Sequence, residues 1–428
     1  MTTDVDLGPF PDAPGFTDAV QRDEADPLAS FAARFEVSDP ELIYLDGNSL
    51  GRLPSAASAR VDRAVRFEWG DRLIRSWNET WWDLASEVGD RIAPLIGANA
   101  GEVIVSESTT TNLHKLAGAA LDGRPDRTTI ITDDLNFPSD VHVLGGLAAR
   151  SGRTLEIVRS DGIDGPVTDL LAEIDERTAL VSLSHTAFKS GYTYDIAAIT
   201  AAAHEAGALV LWDLSHSVGA IEVDLAGAGA DLAVGCTYKF LNGGPGSPAF
   251  LYVRSDLQDE LQNPIIGWWG DAEPFDFGLD HQPAGGIRRF QVGTAPILSL
   301  AGAEPGIDLV AEAGTPQIAA KGRALVALTA ELWSSRLAPL GFAWGSPTDP
   351  DRRGAHAALA HRDAWRITRA LIEVGRVVPD FRAPDNVRLG LSPLTTSFLD
   401  VHTAVERLAR IVEAGVHEHF SDERSAVT

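Results

Sequence analysis

The chain has 428 residues, 44% apolar and 22% charged, an ordinary globular composition with room for two or three domains. Its 61 acidic and 35 basic side chains leave a formal net charge of −26, which repels phosphate backbones and argues against nucleic-acid binding. No run approaches the roughly 18 to 20 apolar residues of a membrane span, residues 1–10 lack the order of a secretory signal, and the single cysteine, Cys236, excludes an internal disulfide and suits a cytoplasmic setting.

Residues 1–55 are rich in Pro, Asp and Gly and read as an extended N-terminal arm, with turn chemistry at Asp46-Gly47-Asn48-Ser49. From 56 to 95 the spacing is helical: Val61, Ala64 and Val65 recur on one face, as do Leu84, Val88 and Ile92. From 101 to 255 short apolar runs alternate with amphipathic stretches. Strands are expected at 102–105, 128–131, 179–183, 208–212 and 232–235. A helix is expected over 195–207, capped by Asp195, stopped by Gly207, with Ile196, Ile199 and Ala203 on one face. This alternation predicts an α/β fold with a mostly parallel central sheet flanked by helices. Residues 256–300 turn irregular and aromatic, with Trp268, Trp269, Phe275, Phe277 and Phe290. From 303 onward a helix and further alternation predict a smaller C-terminal α/β domain. The expected division is an arm at 1–55, a large domain at 56–302 and a small one at 303–428.

Ligands of an open parallel sheet bind beyond the carboxyl ends of its strands. After the first strand comes Ser106-Glu107-Ser108-Thr109-Thr110-Thr111, hydroxyls at a helix start that suit a phosphate or simple capping. After the second comes Asn136-Phe137-Pro138-Ser139-Asp140, with an aromatic able to stack on a planar ligand. Ser184 and His185 follow the third strand. The fourth runs straight into Asp213, Ser215 and His216, and burying that carboxylate requires a cation or donors. The fifth leads to Tyr238 and Lys239 and then a Gly/Pro-rich loop. Lysines are scarce (Lys115, Lys189, Lys239 and Lys321), and one placed here suits a Schiff base. A phosphate cradle, a stacking ring, a strand-end Asp and a downstream Lys together match the needs of pyridoxal 5′-phosphate. No metal site is read from the sequence.

Several blocks in one order carry a family resemblance: residues 44–51 (Tyr44-Leu45-Asp46-Gly47-Asn48-Ser49-Leu50-Gly51), Arg75-Ser76-Trp77-Asn78, Asn136-Phe137-Pro138-Ser139-Asp140, Thr237-Tyr238-Lys239-Phe240-Leu241-Asn242, and Gly267-Trp268-Trp269-Gly270. The chain resembles the kynureninases, closely their bacterial members, which are fold-type-I pyridoxal phosphate enzymes. The resemblance implies hydrolysis of the Cβ–Cγ bond of L-kynurenine to anthranilate and L-alanine, in tryptophan breakdown. It implies that Lys239 bonds the cofactor, that Asp213 pairs with the pyridinium nitrogen and that His216 lies near the phenolic edge. Thr109 and Thr110 would bind phosphate, and Phe137 would stack in a loop shared with Pro138, Ser139 and Asp140. Ser184 and Tyr238 match cofactor-contacting positions, Tyr238 also being the candidate proton donor. Trp268 and Thr294 match positions that reach the phosphate from a neighbouring subunit, implying a homodimer with shared sites. Arg388 matches the clamp for the substrate α-carboxylate.

One departure stands out. The family usually reads Gly-Trp-Phe-Gly-His, whereas Asp271 ends the block here, an anion near the expected substrate pocket that could redirect preference among aryl γ-keto amino acids. Thr294 is the bacterial-type residue and favours L-kynurenine over its 3-hydroxy form. The alternatives carried are a related aminotransferase or β-lyase, a cysteine desulfurase using Cys236, and a catalytically inactive pyridoxal phosphate-binding protein.

Overall fold

The computed structural model describes Val5 and residues 7–424. The reading of residues 1–10 as no secretory signal falls partly outside them. In chain order the strands are β1 (Ile43–Tyr44), β2 (Val103–Val105), β3 (Thr129–Asp133), β4 (Thr154–Val158), β5 (Thr178–Ser184), β6 (Leu209–Asp213), β7 (Leu232–Gly235) and β8 (Phe250–Val253). After them come β9 (Ala343–Trp344), β10 (His356–Ala360), β11 (Val377–Val378), β12 (Asp380–Arg382) and β13 (Asn386–Gly390).

Strands β2 to β8 form one seven-stranded sheet in the order β2-β8-β7-β6-β5-β3-β4. β4, β3, β5, β6 and β7 run parallel, and β8 is antiparallel to both β7 and β2. The mostly parallel α/β expectation is therefore met. The five expected strands were runs buried on both faces, which read as continuous hydrophobic stretches. β4 escaped that pattern because it is an edge strand: Thr154 and Glu156 point to solvent, so no continuous run marks it. In register, Ser184 on β5 faces Asp213 on β6, and Asp213 faces Val234 on β7, so the carboxyl ends of these strands are level.

Helices Thr109–Asp122, Pro138–Ser151 and Ile196–Glu205 cover the sheet. Asp195 accepts the Ala198 N–H at 3.0 Å and so starts the last of these as expected, and Gly207 follows its end with φ 76°.

There are two main apolar cores. One surrounds the seven-stranded sheet. The other joins helices Thr315–Leu332, Ala364–Glu373 and Phe398–Glu413 to an antiparallel sheet of order β12-β13-β10-β9. Ala19, Ile43 and Leu45 belong to this second core, and β1 pairs in parallel with β11. Residues 16–24, expected in an extended arm, form a helix instead. Its Ala19 is fully buried, and Asp23 accepts the N–H groups of Phe398 and Leu399 at 2.8 and 2.9 Å, satisfying two orphan donors of helix Phe398–Glu413. The Pro- and Gly-rich flanks hid this short helix. Helix Ile297–Ala313 starts earlier than the expected 303 and carries Pro305 within it.

Candidate active site

A cavity of about 730 Å³ opens at the carboxyl ends of the parallel strands, walled on its other side by β12 and β13. Thr109, Thr110, Phe137, Ser139, Asp140, Asp213, His216, Tyr238, Lys239, Thr294 and Arg388 all line it. The strand-end carboxylate and the amine thus face one cleft.

Two helix N-termini converge there, those of Thr109–Asp122 and Pro138–Ser151. Ser108 caps the first by accepting the Thr111 N–H, and the hydroxyls of Thr110 and Ser139 meet at 2.8 Å across the gap. Free N–H groups, aligned dipoles and hydroxyls make this end suited to an anion. Glu107, in a left-handed backbone conformation at φ 52°, also lines the cavity.

Asp213 is 7% exposed and is held through Oδ1 by the Ser215 N–H at 2.9 Å and the Ser215 hydroxyl at 2.6 Å. The Asp140 carboxyl lies within hydrogen-bonding reach of it. Burial first, and the charge of Asp213 second, push Asp140 well above the usual carboxylate range. Its Oδ2 finds no donor, which a retained proton explains: Asp140 donates and Asp213 accepts.

Lys239 Nζ lies 3.0 Å from His216 Nε2. Burial, then the charges of Lys239 and Arg388, hold His216 well below its ordinary range, so the ring is neutral and Nε2 accepts from the lysine. The Tyr238 phenol is pushed above its ordinary range by the neighbouring Cys236 and by burial, and so keeps its proton. Cys236 is itself buried, which pushes its thiol up and opposes use as a thiolate. The loop of residues 46–51 presses against the lysine: the Gly51 N–H donates to the Tyr238 carbonyl at 2.8 Å, and a β-carbon on Gly51 would collide with the Lys239 carbonyl.

On the opposite wall Arg388 is 1% exposed, and burial lowers its guanidinium to about 10. It bonds to Asp380, to the Phe188 carbonyl and, at 2.9 Å, to the Ser49 hydroxyl. Asp380 also pairs with Arg382 at 2.7 Å. Asp46 is raised to about 6, by burial and then by the charge of Asp380.

Three expected site residues do not line the cavity. Pro138 opens its helix at the first turn. Ser184 is buried at the end of β5, where its N–H donates to the Asn136 side chain. Trp268 is 42% exposed, packs on Trp269 and borders a separate cavity of about 550 Å³. Thr294, expected to reach across from a neighbouring subunit, lines the cavity of its own chain. Within its own chain Asp271 borders the same separate cavity as Trp268, and its carboxylate accepts the Glu273 and Gln282 N–H groups, each at 2.9 Å. Lining residues the sequence reading passed over include Ser49, Phe188, Gln291 and Arg382. Ser49 stood in a flagged turn, but nothing local marked the other three.

A family profile described as "Aminotransferase class-V" matches residues 44–341, and one described as "Kynureninase C-terminal domain" matches residues 318–408. The kynureninase of Pseudomonas fluorescens is 42% identical over 403 residues, covering 92% of this chain and 95% of the relative. That of Burkholderia pseudomallei (strain K96243) is 42% identical over 401 residues, with the same 92% and 95% covered. Among solved structures, a cysteine desulfurase from Thermococcus onnurineus NA1 superposes with a TM-score of 0.75 at 20% identity, covering 87% of this chain and 95% of that one. The cysteine desulfurase CsdA from Escherichia coli gives 0.76 at 18% identity, covering 90% and 98%. At those identities the structures establish the fold, while the sequence relatives and the two profiles go further: the chain belongs to the kynureninase family.

Proposed function

We propose that the protein hydrolyses the Cβ–Cγ bond of L-kynurenine to anthranilate and L-alanine, with pyridoxal 5′-phosphate held by the cavity residues. The observation that carries the reading is that Lys239, Asp213 and two hydroxyl-bearing helix N-termini share one cavity. The chain's own groups fit the cofactor. The helix N-termini with Thr109, Thr110 and Ser139 suit its phosphate. Asp213 and the buried Asp140, one of whose oxygens lacks a donor, suit a protonated ring nitrogen. Phe137 offers a ring face, Pro138 opens the helix whose N-terminus faces the cavity, and Lys239 is the amine for the aldehyde. Bound there, the cofactor supplies an electron sink for the carbons of an amino acid.

The protein's part is positioning and proton transfer. Lys239 takes the proton from the substrate α-carbon, with His216 as the neutral acceptor that aims the amine. Tyr238, which keeps its proton, donates to the β-carbon when the Cβ–Cγ bond breaks. Arg388 holds the α-carboxylate in a bidentate grip, with Asp380 as its partner in the free enzyme. Sulfur transfer is not favoured, since the only cysteine is a buried thiol.

A homodimer belongs to the same reading. Phe67, Trp69, Leu73, Ile74, Ile266, Trp268, Phe275 and Phe277 are exposed apolar side chains concentrated in two segments. Ring contacts between Trp77 and Trp269 and between Trp82 and Phe275 tie those segments together. Such a patch suits a second copy of this chain, through which Trp268 would reach the neighbouring cavity. Among the described residues no helix is long and apolar enough to cross a membrane.

The test is to load the protein with cofactor, offer L-kynurenine or 3-hydroxykynurenine, and follow the fluorescence of the released aromatic amine. Turnover of L-kynurenine is expected. Release from neither substrate, or keto-acid exchange in its place, overturns the reading.

A further inference from the structure

Two buried imidazoles lie behind Lys239. His216, on the loop after β6, is 6% exposed, and His356, the first residue of β10, is 1% exposed. Their ring centroids are 5.4 Å apart. Burial and the surrounding cations keep both rings neutral. The charged groups facing the pair are Lys239 from the loop after β7, Arg382 from β12 and Arg388 from β13.

A neutral imidazole has one N–H and one lone pair, and a lysine ammonium can only donate. His216 Nε2, at 3.0 Å from the amine, therefore carries the lone pair, and Nδ1 carries the proton. That Nδ1–H is buried without an acceptor, and neither nitrogen of His356 makes a hydrogen bond of good geometry, although the Ala187 carbonyl is close enough to act on the ring. Unmade bonds on two adjacent buried rings are unfavourable, and rotation of the His356 ring can turn a lone pair toward His216.

We infer that His356 is a positioning residue for the lysine: its lone-pair nitrogen accepts from His216 Nδ1, and its own N–H turns to the neighbouring Ala187 carbonyl. The donors then run in one direction, from Lys239 to His216 to His356 to the backbone. This locks His216 in the tautomer that leaves Nε2 open to the amine. The small sheet thereby sets the orientation of a group on the large one. The inference rests on the reading of Lys239 and His216 as cofactor-site residues.

The test compares the wild-type protein with His356→Phe, which removes both ring nitrogens, and His356→Gln, which restores a donor and an acceptor. Nitrogen chemical shifts of 15N-histidine-labelled protein without cofactor should show His216 as the Nδ1–H tautomer, assigned with a His216→Gln sample. In His356→Phe the tautomers should mix. The pH midpoint of the bound cofactor's visible absorption should move by about 0.5 unit or more as the lysine loses its fixed acceptor, and kcat should fall about tenfold with KM unchanged. His356→Gln should return these values toward wild type. An Nε2–H tautomer in the wild type overturns the inference, as does a His356→Phe protein with unaltered tautomer and midpoint. Should His356→Phe fail to fold, the wild-type tautomer decides. Wild-type protein that develops no absorption band with cofactor would instead sink the functional reading, and the tautomer measurement would still decide this one.

Discussion

On the cavity wall built by β5, β6 and β7, the carboxylate of Asp213 meets neutral donors, the N–H and hydroxyl of Ser215. On the wall built by β12 and β13, the carboxylate of Asp380 meets two guanidiniums, Arg382 and Arg388. The first arrangement is local, since donor and acceptor lie two positions apart. The second joins distant parts of the chain: the Ser49 hydroxyl bonded to Arg388 is 339 positions away. The difference bears on robustness. A carboxylate satisfied by neutral neighbours survives the loss of a nearby cation, whereas buried ions that satisfy one another fail together.

The largest expected effects test that contrast directly. Lys239→Ala should lower L-kynurenine turnover by about 10⁴-fold or more, followed by fluorescence, while cofactor still binds weakly and the unfolding temperature of the cofactor-free protein barely moves. Arg388→Ala should raise KM for L-kynurenine and also lower stability by about 1–3 kcal/mol, because Asp380 would keep only Arg382 as a cation. Urea unfolding of Arg388→Ala and of the double variant Arg388→Ala/Asp380→Ala checks the cause, since removing both charges should recover part of the loss. An unmoved urea midpoint in the single variant would show that the two walls do not differ as described.

A finer test lies within the first wall. Asp140 retains its proton through burial and the charge of Asp213, so an amide resembles its resting state. Asp213→Asn is expected to lower kcat by about 10²-fold or more. Asp140→Asn should cost less than about tenfold. Equal losses would mean that the two carboxyls share one charge evenly.

The same contrast explains how much of the site was legible in the sequence. Asp213 and Lys239 each follow a run buried on both faces, so position along the chain announced them. Thr109 and Thr110 open a helix directly after β2 and were visible for the same reason. Arg382 and Asp380 were not, because their roles depend on the antiparallel register that sets Asp380 opposite Arg388. Phe188 supplies a backbone carbonyl to Arg388, and no side-chain pattern encodes that. Within its own chain Asp271 lies beside a second cavity, held by the N–H groups of Glu273 and Gln282 next to the packed rings of Trp268 and Trp269, a placement that depends on the fold of this loop and not on any local pattern.

The smallest expected effect concerns Lys115, a cation behind the neutral-donor wall. It is fully buried and donates to the Ser106 hydroxyl at 3.1 Å and the Phe290 carbonyl at 2.7 Å, so its bonded partners are neutral. Burial lowers its amine from the ordinary 10.5 to about 8. Between those values the unfolded chain binds more protons than the folded one, so this group makes the protein more stable as pH rises from about 8 toward 10.5. The whole gain is at most roughly 3 kcal/mol. Lys115→Met keeps the bulk and removes the charge, so the rise should vanish from urea midpoints measured at both ends of that window. At neutral pH the variant should differ little from wild type, because the lost hydrogen bonds offset the relief of a desolvated charge. Equal rises in both proteins would place the titrating group elsewhere and would show that Lys115 is not a charge that the neutral-donor wall holds without a bonded ion.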